Sequence, residues 1–145
     1  MTWWMQLIAC LLAAASFSLL MHQPLRTVPV TSLIAVVGYS VFLLLGQGSL
    51  AYFAATLLIG ICCETCARLM KRAATLFVTG AIIPLVPGVG LYNTMRYVVE
   101  GDYGQAVNTG AATILGISAI ALAITLSSVL FSAFRRNEKK KEKPC

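Results

Sequence analysis

IIPLVPGVGLYN, residues 82–93, places two prolines and two glycines within seven positions of an otherwise apolar chain. Proline removes a backbone donor and clashes with the preceding turn. Glycine makes an unwound backbone cheap to form. Downstream, LYNTMRYVV restarts as a helix, because Leu, Met and Arg favour one. In hydrocarbon every backbone N–H and C=O needs a partner, so non-helical backbone is tolerated only against protein or beside a wet cavity. Two arrangements satisfy that rule. One is a discontinuous span whose second half begins near Gly88–Leu91, with free N–H groups carrying partial positive charge. Secondary transporters use such half-helix ends to hold substrate carboxylates near the bilayer midplane. The other is a plain proline kink, or a loop between two shorter spans. On the first arrangement Pro84, Pro87, Gly88 and Gly90 are candidate substrate-binding positions. Tyr92 and Asn93 join them, adding hydroxyl and amide groups just beyond the break.

The composition around this stretch is that of a membrane protein. Of 145 residues 59% are apolar and 11% charged, against about a quarter charged in soluble domains. Mean hydropathy is +0.83. Uncharged runs cover Met1–Met21, Val28–Ile61 and Tyr103–Phe134. The expected fold is an all-α integral membrane protein, a bundle of about five transmembrane helices with a Pro/Gly-broken fourth span. The spans fall at about 3–21, 30–45, 50–66, 75–99 and 106–134, within a single transmembrane domain, residues 1–134. The first is read as a retained span and not a signal peptide, since no Lys or Arg precedes its apolar run. Trp3 and Trp4 suit the membrane interface.

The net charge of +6 does not point to nucleic acid. Six of the eleven basic residues (Arg135, Arg136, Lys139, Lys140, Lys141, Lys143) lie in residues 135–145, read as a solvated basic cytoplasmic tail. The other connections alternate. Arg26 follows the first span and Arg68, Lys71 and Arg72 follow the third, whereas Glu100 and Asp102 follow the fourth. That alternation is the positive-inside pattern for an odd number of spans. It sets the N-terminus outside and the C-terminus in the cytoplasm.

Chemistry-bearing residues are few. The single histidine, His22, stands in a loop without a nucleophile arrangement, and the glycines at 88 and 90 lack the Lys-Ser/Thr of a phosphate-binding loop. Cys63 and Cys66 form a lone C-x-x-C, and no second pair completes a metal site. Neither an enzyme nor a cofactor is expected. Arg96 is the one basic residue outside the cytoplasmic connections; it either snorkels from a helix end or attracts carboxylates inside a cavity. Glu64, four residues before Arg68, shares a helix face with it. It is either half of an interfacial ion pair or a proton-carrying carboxylate, and it stands with Asp102 as a candidate for proton coupling. Ala112, Gly116, Ala119, Ala123 and Ser127 form a small-residue stripe. It is a helix-packing face, or else a reflection of how common Ala and Gly are in membrane helices.

From Glu64 and the basic patch after it, through IIPLVPGVGLYNTM, to the pair Gly101–Asp102, the sequence resembles the threonine/serine exporter family. The resemblance is strongest over Glu64–Asp102 and is carried by Pro84, Leu85, Pro87, Gly88, Gly90, Tyr92, Met95, Gly101 and Asp102. It is closest to the small-subunit type, which corresponds to the C-terminal transmembrane half of the fused exporters. The resemblance implies a component of the bacterial cytoplasmic (inner) membrane that works with a separately encoded larger membrane subunit. The implied solute is small and carboxylate-bearing: threonine or serine, or succinate as in a related two-subunit system. Val89 stands where the family often has a further glycine. Thin helices enclose little volume, so self-association is a further possibility beside the larger partner.

Overall fold

A computed structural model describes residues 3–46 and 48–141, with side chains described through residue 132. Helix α1 spans Trp3–Leu20, α2 Val28–Leu44, α3 Ser49–Leu69 and α4 Ala74–Ile82. A 3-10 turn, Ile83–Leu85, leads to α5, Gly88–Val99, and α6, Tyr103–Lys141. No strand occurs among the described residues.

Local chemistry sets the ends of these helices. At the end of α1, His22 takes a left-handed backbone with φ 54°. The N–H of Gln23 reaches back to the carbonyl of Ser18 at 3.1 Å, and Pro24 forbids continuation. The same closure ends α3. Lys71 has φ 50°, and the Arg72 N–H donates to the carbonyl of Ala67 at 2.9 Å. Gly101, with φ 80°, closes α5. Asp102 then starts α6, its Oδ1 accepting the N–H of Gln105 at 3.1 Å.

Residues that need little room make up much of the core. Ala14, Ala35, Ala55, Ile59, Cys63 and Phe77 are all fully buried. Where lipid replaces water, helices gain from close approach rather than from hiding apolar surface, and small residues permit it. Gly60 shows this directly: a Cβ there would overlap the Ser127 side chain, so α3 and α6 cross in near backbone contact. Helices α1, α2 and α4 pack together on one side of α3, α6 packs on it, and α5 folds back along α6. Buried positions of α6 include Thr113, Gly116, Ile120, Ala123 and Ser127. Of the expected stripe, Gly116, Ala123 and Ser127 are buried, Ala119 is half-buried and Ala112 is exposed. The stripe is a packing face, but it steps by three and four residues, following the true helical repeat.

By length and composition α1, α3 and the segment Tyr103–Ser132 of α6 can each cross a membrane alone. The pair Ala74–Leu85 and Gly88–Val99, bent by 46°, makes a fourth if counted as one span. Helix α2, with 17 residues, is a shorter apolar helix. The expectation of about five spans therefore narrows to three or four by these criteria. Helix α6 also runs on as backbone helix through Lys141, where the basic tail was expected to begin at 135. The side chains of Arg135, Arg136, Lys139, Lys140 and Lys141, and all of Lys143, lie outside the described residues.

The register places the break. Gly90 rests on Thr113 and Gly110 on Thr94, so α5 runs antiparallel to the first part of α6. Gly116 meets the Tyr52 ring and Gly60 meets Ser127, so α3 runs parallel to the later part. The break consequently lies level with the start of α3. A helix of 21 residues is about 31 Å long, so a membrane drawn on α3 puts the break near one face. A membrane drawn on the bent pair Ala74–Leu85 and Gly88–Val99 as one span puts the break mid-way, as the half-helix arrangement expects. Gln23, meanwhile, lines a groove with Thr75, Leu76 and Thr79. That brings the loop carrying Arg26 beside the start of α4, so the basic connections share the opposite end of the molecule.

Candidate functional site

The break is built from its prolines. Pro84 sits in the 3-10 turn, Val86 is extended, and Pro87 has φ −75° and ψ 61°. Those angles make an inverse γ-turn, closed by the Gly88 N–H donating to the carbonyl of Val86 at 2.7 Å. The Leu91 N–H donates to the carbonyl of Pro87 at 3.3 Å. No side chain caps α5. Its amides at Val89 and Gly90 are the ones an uncapped first turn leaves unpaired. Beside them lies a groove of about 250 Å³ lined by Gly48, Ser49, Tyr52, Pro87, Gly90 and Thr113. A Cβ at Gly90 would lie 2.5 Å from Thr113 Oγ1, so only glycine lets α5 approach α6 this closely.

The sequence-derived candidates do not converge on that groove. Pro87 and Gly90 line it, but Pro84 faces another groove, of about 340 Å³, with Gln6, Cys10 and Tyr39. Gly88 is exposed and Asn93 half-buried, while Tyr92 is 68% exposed. Arg96 lies toward the far end of α5 and pairs with Glu100 at 2.8 Å, both side chains largely in the open. Asp102 is at the same tip, capping α6.

Glu64 belongs to the other end. It lines a groove of about 460 Å³ with Arg68, Lys71, Arg72, Ser128 and Ser132. Three cations and one carboxylate thus share a space walled by α3, the loop after it and α6. The expected Glu64–Arg68 ion pair is not formed. Arg68 turns away, donating from Nη2 to the carbonyl of Phe131 at 3.0 Å, with its guanidinium carbon 4.9 Å from that ring's centroid. Among the described residues Glu64, half-buried, has no hydrogen-bond or ion partner.

Lys71, Arg72, Ser128 and Ser132 were not singled out from the sequence as site residues. The basic residues read as an orientation signal, and the serines as ordinary membrane-helix polar groups. One clue was available: Ser128 and Ser132 stand four apart on a helix, as do Glu64 and Arg68.

A family model described as "Threonine/Serine exporter, ThrE" matches residues 6–130. The chain belongs to the threonine/serine exporter family. The match covers α1 to α5 and most of the apolar length of α6, well beyond the Glu64–Asp102 segment that carried the resemblance. Membership places the chain among membrane transport proteins of exporter type. No solved structure matches this exporter-family fold.

Proposed function

We propose that this chain is a membrane subunit of a secondary exporter of small carboxylate-bearing solutes of the threonine and serine type. It works with a larger membrane subunit in the bacterial cytoplasmic membrane, with its N-terminus outside and its C-terminus in the cytoplasm. The observation that carries this proposal is the groove holding Glu64, Arg68, Lys71 and Arg72. It opens at the end that charge distribution assigns to the cytoplasm, where an exporter takes up its cargo, and its cations suit a carboxylate. The groove at Pro87 and Gly90, at the other end, offers two amides of a helix N-terminus for the same group on its way out. Helix α5 turns Val89, Leu91, Tyr92 and Met95 outward, an apolar surface available to the larger subunit. Glu64, half-buried on the wall of the groove, is the candidate proton carrier; Asp102, engaged as a cap in the open, is the weaker one.

Efflux of L-threonine, L-serine and succinate from cells carrying this chain, the gene encoded beside it, or both, tests the proposal. Threonine and serine efflux is expected only with both. Efflux indifferent to this chain removes it from transport, leaving a structural subunit that scaffolds its partner. Coupling has its own test: Glu64→Gln is expected to flatten the pH dependence of efflux, and an unchanged profile takes Glu64 out of the coupling step.

A further inference from the structure

We propose that the groove at the basic end is a solute site with two halves of opposite charge, in which Glu64 selects zwitterionic amino acids over dicarboxylates. The assignment rests on the exporter function proposed above and says which side chain recognises the ammonium of that solute. Its size is that of small-molecule sites, which run from about 300 to 1,000 Å³; the groove measures about 460 Å³.

In the cationic half, Arg68 is held in place before any ligand arrives. Arg68 is fixed by the Phe131 carbonyl and ring, which use one of its nitrogens and leave other N–H donors of its guanidinium free for a carboxylate. Lys71 stands, exposed, at the left-handed turn that ends α3. Arg72 follows it on the wall of the same groove. Among the described residues the anionic half is Glu64. A half-buried carboxylate with no partner among the described residues is costly, and the natural remedy within reach of a bound solute is that solute's own ammonium. An α-amino acid brings both charges on neighbouring atoms, so it satisfies both halves together. A dicarboxylate satisfies the cations and then sets its second negative charge against Glu64. The geometry therefore contains both the attraction and the repulsion that specificity needs. Ser128 Oγ, on the α6 wall, makes no hydrogen bond among the described residues. It is available to a side-chain hydroxyl such as that of threonine or serine.

The test uses the purified full chain in phosphatidylcholine nanodiscs, with radiolabelled L-threonine and succinate as probes. All the groove's lining residues belong to this chain, so the chain alone is expected to bind threonine, and to bind it about tenfold or more tightly than succinate. Glu64→Gln is expected to erase that preference, by weakening threonine and strengthening succinate. Glu64→Asp keeps part of it, and Arg68→Gln weakens both probes. Helical content and gel-filtration profile confirm that each variant is folded. Wild-type binding of succinate equal to threonine, a ratio unmoved by Glu64→Gln, or no binding of either probe overturns the proposal. A lipid phosphate is the other source of an anion for these cations. It is tested by repeating the titration with phosphatidylglycerol in the nanodisc: loss of threonine binding at every attainable concentration assigns the groove to lipid and also overturns it. Failure of the exporter function reads out separately, as efflux from whole cells that does not depend on this chain. A cell that exports with unchanged selectivity in the Glu64→Gln variant sinks only the present inference.

Discussion

At the scale of single residues, two backbone facts carry more consequence than the charged side chains. Lys71 holds a left-handed backbone that side chains other than glycine rarely adopt. Lys71→Gly is expected to stabilise the fold by about 1 kcal/mol, measured as a rise in melting temperature in detergent, while weakening anion binding through the lost ammonium. A gain in stability with unaltered binding removes Lys71 from the groove's chemistry. Gly60 sits where any Cβ meets Ser127. Gly60→Val should therefore cost about 1–3 kcal/mol by overpacking, and a melting temperature unchanged from wild type would contradict the α3–α6 crossing. Arg96 behaves oppositely. Its pair with Glu100 is open to solvent, and such pairs contribute little, so Arg96→Gln should leave the melting temperature where it is.

At the scale of helices, much of the fold was legible. Long uncharged runs marked α1, α3 and α6 because nothing in them favours water. The clustered prolines marked the end of α4 and the start of α5 because proline's missing donor acts locally. The level of the break along α3 was not legible. It follows from which residue of α6 meets which residue of α3 and α5, and that register is fixed by contacts such as Gly60 with Ser127 and Gly90 with Thr113. Sequence spacing holds no record of it. The α6 stripe shows a milder failure: steps of four drift around a helix of 3.6 residues per turn, so the exposed Ala112 was read in place of the buried Thr113. Replacing Pro84 and Pro87 together by Ala is expected to straighten the 46° bend and depress efflux while the protein still inserts. Full export by that double variant would show that the break serves no transport step.

For the whole molecule, Arg26, Arg68, Lys71 and Arg72 were legible as an orientation signal, yet only the fold revealed that three of them share a cavity with Glu64. The reason is physical: Lys71 and Arg72 come back to that groove through a turn whose left-handed residue, Lys71, is not the glycine that would announce it. Orientation itself has a direct check. In a background without native cysteines, Asp102→Cys should react with a membrane-impermeant maleimide added outside intact cells, and Arg72→Cys only after permeabilisation. The reverse pattern would invert the molecule and place the Glu64 groove outside.

Two helices wall both of the outlying grooves. Helix α3 supplies Ser49 and Tyr52 to the one beside the break, and Glu64 and Arg68 to the one at the basic end; α6 supplies Thr113 to the first, and Ser128 and Ser132 to the second. Between the grooves the pair touches at Gly60 and Ser127 with no spare volume. A rocking of α6 about that contact would therefore alter both mouths in a single motion, without a separate linkage to carry the change from one face of the membrane to the other.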